Sequence, residues 1–253
     1  MSNYWTKEQT IIALNVYCKI PFKNSSAHHP MIKEYAKLIG RTPAALNLKI
    51  GNLGSFDPVL KEKGIVGLVH SSKMDEIVWN EFFENPEELT YESEKIIAQL
   101  RHQTIEESTN VDLSNLPEGV DKTTIVRQRI NQNFFHNAVL CSYGNRCCIT
   151  GIAHPQLLEA CHISAWIEDI KNRTNPKNGL CMNPLFHKAF DKFLFTVTPN
   201  YTIEISEEMI DGAEESFRNY LLYINGKPIL MPEKFTPDQN LLLKHYEQYL
   251  SRK

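Results

Sequence analysis

What this sequence has little of narrows it first. No apolar run approaches the roughly 20 residues needed to cross a bilayer, and no basic segment followed by a long apolar one opens the chain. Neither a membrane anchor nor a cleaved export signal is therefore expected. The six cysteines are too few and too irregularly placed for a secreted disulfide framework. There is no internal repeat and no low-complexity tract. The expectation is a cytoplasmic, reduced protein with no membrane partner. Its 253 residues suffice for one large domain or two small ones, each with its own core.

A surplus of positive charge is also missing, the net charge being −3. Its distribution is more informative than its sum. Residues 1–75 hold 10 Lys/Arg against 5 Asp/Glu, residues 76–121 hold 2 against 12, residues 122–200 hold 9 against 4, and residues 201–253 hold 6 against 9. Two basic blocks are separated by an acidic one. Basic blocks attract a phosphate backbone by releasing its counterions, although solvated surfaces also vary in charge.

Along the chain, residues 5–17 place Trp5, Ile12, Val16 and Tyr17 at helical spacing behind a Thr6 N-cap. Residues 31–39 form a second helix ended by Gly40, and Thr42-Pro43 opens a third. The second and third make a helix-turn-helix candidate. Leu46 and Ile50 would pack inward, leaving Asn47, Lys49 and Asn52 outside to reach DNA, with Arg41 in the turn; an ordinary helical hairpin is the competing reading. Residues 59–68 suggest a short wing, 74–83 a fourth helix, 91–101 a further helix and 106–119 a linker. Residues 126–143 form an amphipathic helix with Ile130, Phe134, Ala138 and Cys141 on one side, and with Arg127 and Arg129 offered to phosphate.

The densest chemistry lies in residues 146–191, RCCITGIAHPQLLEACHISAWIEDIKNRTNPKNGLCMNPLFHKAFD. Residues 147–150 and 158–163 are expected as two antiparallel strands joined by a loop around Gly151, His154 and Pro155. A polar loop follows, residues 168–179, and then Asn183-Pro184 opens a helix. His187 and Asp191, four apart, share one face of that helix. Beyond it, residues 193–198 and 201–206 form a hairpin about Pro199-Asn200, residues 207–220 a helix, residues 222–230 a second hairpin turning at Asn225-Gly226, and residues 237–250 a terminal helix, all read as scaffold.

On FFHNAVLCSYGNRCCITG, LLEACHISAW, RTNPKNGLC and LFHKAFD, in that order, the segment resembles the HNH endonucleases, and within them a branch of restriction enzymes. The resemblance implies a β-hairpin followed by a helix clasping one divalent metal ion, Mg2+ or Mn2+ by preference with Zn2+ as an alternative. It makes His162 the general base and Asn178 the residue that holds the loop and orients the base. His187 becomes a metal ligand. Asp191, one helical turn along, is the natural second ligand, with a hydrogen bond to backbone as the competing reading. Arg173 and Lys177, in the loop that would face the phosphate, are candidates to hold it. Many members carry Asp or His directly before the base, where this chain has Cys161. A thiolate there suits Zn2+, whereas a neutral thiol leaves the metal to His187, Asp191, phosphate and water, with Glu159 as another donor. The positions of the family's zinc knuckle are Cys147/Thr150 and Asn183/Phe186, so no structural zinc is expected.

The resulting expectation is an α+β protein. Residues 1–90 form a helical DNA-binding or targeting domain, 91–125 an acidic helix and linker, and 126–253 a ββα-metal nuclease domain centred on 146–192. Its partner is DNA, cleaved in restriction or anti-phage defence, with a homodimer left open. The alternatives are a non-catalytic DNA-binding protein with a degenerate nuclease fold, and an RNA-cleaving nuclease.

Overall fold

The computed structural model describes residues 4–22, 25–65, 71–110 and 121–252. The chain divides into two compact units, Met1–Cys141 and Ser142–Lys253, and the mixture of many helices with two small sheets is α+β. The boundary falls at the end of a long helix rather than at the expected 125/126. Among the described residues, no helix is long and apolar enough to cross a membrane.

The first unit is helical: α1 (Lys7–Lys19), α2 (Pro30–Leu38), α3 (Pro43–Gly54), α4 (Pro58–Glu62), α5 (Lys73–Phe82), α6 (Pro86–Arg101), α7 (Ile105–Thr109) and α8 (Lys122–Ser142), the last of which crosses into the second unit by one residue. Thr6 caps α1 in a reciprocal box with Gln9, and Thr42 caps α3. Gly40, at φ 66, lets the Arg41 amide bond back to the Ala36 carbonyl, which stops α2. Helix α1 is buried almost throughout and packs against α3, α5 and α6. The acidic helix α6 is thus part of this core rather than of an arm.

Several expectations are corrected here. The start of the expected wing is the short helix α4, and residues 66–70 lie outside the described residues. So does most of the expected linker, residues 111–120, although α7 occupies its beginning. Helices α2 and α3 exist, but Lys49 does not face outward. It is 4% exposed, its Nζ lies 2.6 Å from Asp75 Oδ1 and 4.8 Å from the centre of the Trp5 ring. Lys49 falls three residues after Leu46, one before Ile50 and four before Leu53, inside the buried stripe of the helix. Arg41 donates to Gln9 and to the Tyr4 carbonyl, and Asn47 accepts from Ser25. Arg127 pairs with Glu87 and Glu88 and lies over the Tyr91 ring, while Arg129 is exposed.

The second unit contains β1 (Glu159–His162), β2 (Gly179–Met182), α9 (Pro184–Asp191), β3 (Phe195–Val197), β4 (Ile203–Ile205), α10 (Glu207–Asp211), α11 (Glu215–Ile224) and α12 (Gln239–Leu250). Strand β1 pairs antiparallel with β2, with His162 opposite Gly179 and Glu159 opposite Met182. Residues 147–150, expected as the partner strand, form a turn beside the sheet, tied to it by the Cys148 amide on the Cys181 carbonyl at 2.7 Å. Strands β3 and β4 form the expected hairpin. The second expected hairpin is absent. Residues 215–224 are helical, and Gly226, at φ 77, turns the chain just past the end of α11.

Helix α9 starts at its Asn183 cap and Pro184. It stops where Phe193, at φ 58, allows the Leu194 amide to reach the Ala189 carbonyl. Phe186, Phe190 and Phe195 meet edge to face beneath it. His245 of α12 completes this core. It is 6% exposed, stacks on Phe190 with ring centres 3.7 Å apart and bonds Thr196 Oγ1 at 2.9 Å. Burial pushes its imidazole down to about 4; the bond to the Phe190 carbonyl opposes this and Arg252 adds to it. In an unfolded chain the same group titrates near 6.5, so between those values the unfolded state binds more protons. The stabilisation by neutral His245 is complete above pH 6.5 and falls as the pH drops, with about 3 kcal/mol gone by pH 4. Thermal unfolding of the second unit at pH 7 and pH 4 should show this loss, and His245→Phe should flatten it.

Candidate active site

Four of the five expected catalytic and metal residues come from the end of one strand, β1, and from one face of α9, and the fifth from the turn that enters β2. Strand alternation puts Glu159 and Cys161 on one face of β1. Helix α9 packs against that strand, so both residues come within reach of His187. Cys161, His187 and Asp191 each offer one ligand atom, and the three atoms lie within 4.8 Å of one another. Cys161 is fully buried, and burial pushes its thiol well above the ordinary range, helped by the charges of Asp191 and Glu159. As a neutral thiol it donates to the His162 carbonyl at 3.6 Å.

His187 is oriented by a residue that the sequence reading offered only as a further ligand. Its Nδ1 lies 2.6 Å from Glu159 Oε2, and its Nε2 lies 3.7 Å from Asp191 Oδ2. A carboxylate accepts, so the Nδ1 hydrogen goes to Glu159 and, in the neutral ring, the lone pair is left on Nε2 beside Asp191. That is the carboxylate–histidine arrangement that fixes a metal-ligating tautomer. The donor set therefore fits a divalent cation: an imidazole nitrogen held in the right tautomer, an exposed carboxylate one helical turn away, and a thiol that adds softness if it ionises.

His162 ends β1, partly buried, with its ring edge-on to Trp166 at 5.6 Å. Its Nε2 lies 2.9 Å from the Arg173 carbonyl. A carbonyl can only accept, so this bond puts the hydrogen on Nε2 and, in the neutral ring, the basic lone pair on Nδ1. Burial pushes the imidazole below its ordinary value. The Arg173 carbonyl and Asp191 pull it up, and His187 pushes it further down. At pH 7 the ring is neutral, the state in which an imidazole can accept a proton.

Asn178 is completely buried. Its Oδ1 accepts from the Ser164 amide at 2.8 Å, and its Nδ2 donates to the Ser164 and Asn172 carbonyls. Its own carbonyl accepts from the Ile163 amide. The side chain thus ties the residues that follow His162 to the loop whose next residue, Arg173, holds the His162 ring. Its side-chain hydrogen bonds go to Ser164 and Asn172 rather than to the ring.

A cavity of about 740 Å3 opens over this group, lined by His162, His187 and Asp191 together with Trp166, Lys244 and Gln248. Arg173 is not among the lining residues; its Nε bonds the Trp166 carbonyl at 2.7 Å and its guanidinium lies over the Trp166 ring. Lys177 is partly buried, and its carbonyl accepts from the Asp238 amide. Arg41, Asn47, Lys49, Arg127 and Arg129 belong to the first unit. The sequence reading missed the wall made by α12. Its only signal was the four-residue spacing of Lys244, Gln248 and Arg252, which does not say what the helix faces.

No curated protein matches the chain. A family model described as HNH endonuclease matches residues 147–198, a stretch that contains Cys161, His162, Asn178, His187 and Asp191 and leaves out α12. Over that segment the chain carries an HNH endonuclease domain.

Proposed function

We propose that the protein is a metal-dependent endonuclease that hydrolyses phosphodiester bonds of DNA, acting through a hairpin-and-helix unit formed by β1, β2 and α9. The observation that carries the reading is one cavity lined both by a neutral imidazole with its lone pair on Nδ1 and by His187 and Asp191, two of the three residues of a donor group suited to a cation. His162 takes the proton from the attacking water through Nδ1. The bond from Nε2 to the Arg173 carbonyl keeps that tautomer and aims the ring, and it also favours the imidazolium formed when the proton arrives. Asn178 keeps the loop in register beneath it. His187 and Asp191 would hold the divalent cation, with Glu159 fixing the His187 ring and Cys161 remaining a neutral thiol. When bound, the cation supplies charge stabilisation on the phosphoryl oxygens and on the leaving 3′-oxygen.

A role in restriction or anti-phage defence follows from the resemblance to the restriction branch of the family. The competing readings, RNA as substrate or binding without cleavage, separate in one experiment. Plasmid DNA and a structured RNA of similar length are incubated with the full chain in Mg2+, Mn2+ or Zn2+, with EDTA as control. The expected result is nicked and linear plasmid that EDTA prevents, with RNA cut slowly or not at all. Preferential RNA cleavage would change the substrate. Binding of DNA without cleavage in any cation would leave the non-catalytic reading.

A further inference from the structure

We propose that Lys244 is a phosphate-binding residue of this site, and that α12 is therefore part of the substrate-binding surface rather than scaffold. The proposal rests on the nuclease reading above. Among the residues lining the cavity are the carboxylates of Glu168, Asp169 and Asp191, and Lys244 is the one Lys or Arg. A nucleic-acid strand brings a negative charge with every nucleotide, and a cavity with three carboxylates repels it unless cations answer. One cation would be a metal ion held by His187 and Asp191. On this account the second is the Lys244 ammonium, which is exposed and makes no ion pair among the described residues.

The structure also explains why this lysine is aimed at the site. His245, its neighbour, locks the register of α12 by stacking on Phe190 and Phe193, at 3.7 and 4.7 Å, and by bonding Thr196. Leu241, Leu242 and Tyr249 are buried and hold the rest of the helix. Lys244 and Gln248 lie one turn apart on the same face, and both line the cavity. Arg252 continues the direction, its guanidinium 3.8 Å over the Phe193 ring. Lys244 and Gln248 thus put two donors into the wall of the cavity, from an element outside the segment shared with the family. Arg173 is not among the residues lining the cavity, its Nε being bonded to the Trp166 carbonyl and its guanidinium lying over the Trp166 ring.

The test uses the full chain, with two readouts. Cleavage of duplex DNA is measured at limiting substrate for the wild type, Lys244→Ala, Lys244→Arg and, as a charge control, Lys227→Ala, whose ammonium lies over the Tyr223 ring outside the cavity. DNA affinity is then measured against salt concentration with each change placed in a His162→Ala background, so that the DNA stays intact. Lys244→Ala should lower cleavage by about 10-fold, the scale of one lost charged hydrogen bond. It should also flatten the slope of log affinity against log salt by about 0.9, the signature of one lost phosphate contact. Lys244→Arg should restore both, and Lys227→Ala should change neither. Lys244→Ala with wild-type cleavage and an unchanged slope would overturn the proposal while leaving the nuclease reading intact. A wild type that neither binds nor cleaves nucleic acid would overturn the nuclease reading, and Lys244's role with it.

Discussion

Replacing His162 with alanine lowers phosphodiester cleavage by about 10²–10⁴-fold, the usual contribution of a general base, and leaves DNA affinity nearly unchanged. The asymmetry follows from where the ring sits. A hydrogen bond to the Arg173 carbonyl positions it, and its proposed contact with the reacting water exists only during the chemical step. Losing that carbonyl's partner costs about 1 kcal/mol of stability, so a modest fall in the unfolding midpoint is expected alongside the large kinetic loss. Single-turnover cleavage with saturating enzyme, together with an anisotropy titration, reads the two effects separately. A variant that cleaves at the wild-type rate would remove His162 from the mechanism. A variant that also loses most of its DNA affinity would make the residue a substrate contact instead.

The second large effect concerns the cation. Asp191→Ala should shift the concentration of Mg2+ or Mn2+ needed for half-maximal activity upward by about 100-fold or more. Glu159→Gln should shift it by about 10–100-fold, because Glu159 holds His187 in its ligating tautomer. Cys161→Ser should retain most activity in Mg2+ and Mn2+, since the buried thiol is pushed toward its neutral form, and hard cations prefer oxygen and nitrogen donors. Metal titrations of the three variants, read both by activity and by calorimetric binding, compare the donors directly. Activity lost with every cation in Cys161→Ser but kept in Asp191→Ala would reverse the assignment and make the thiolate the ligand.

How much of this was legible in the sequence depended on how local the determining interactions are. His187 and Asp191 could be placed together because the helical period alone puts residues four apart on one face, and Asn183-Pro184 marks where that helix begins. The strand partner was misjudged because pairing is not local. The nearest apolar run to residues 158–163 is 147–150, whereas β1 pairs across a long loop with β2, whose four residues are all buried and show no alternation to announce a strand. Asn225-Gly226 suggested a hairpin because such a pair accepts positive φ. The structure uses Gly226 for that, but to leave a helix. Lys49 suggested a DNA contact through its charge, although its spacing from Leu46, Ile50 and Leu53 already put it in the buried stripe, where Asp75 meets it. Glu159 gained its place only from the packing of α9 on β1, and His245 and Lys244 theirs from the placement of α12 in the cavity wall, which no run of residues encodes by itself.

The central claim is that this cavity hydrolyses a phosphodiester by attack of water displacing the 3′-oxygen, with a divalent cation present. End-group analysis of a labelled DNA duplex after incubation with the wild-type chain tests it most directly, with Mg2+ or Mn2+ added and then withdrawn by EDTA. The account predicts fragments bearing 5′-phosphate and 3′-hydroxyl ends, formed with the cation and not after its removal. Fragments with 3′-phosphate ends, cleavage that survives EDTA, or intact duplex with every cation would contradict it.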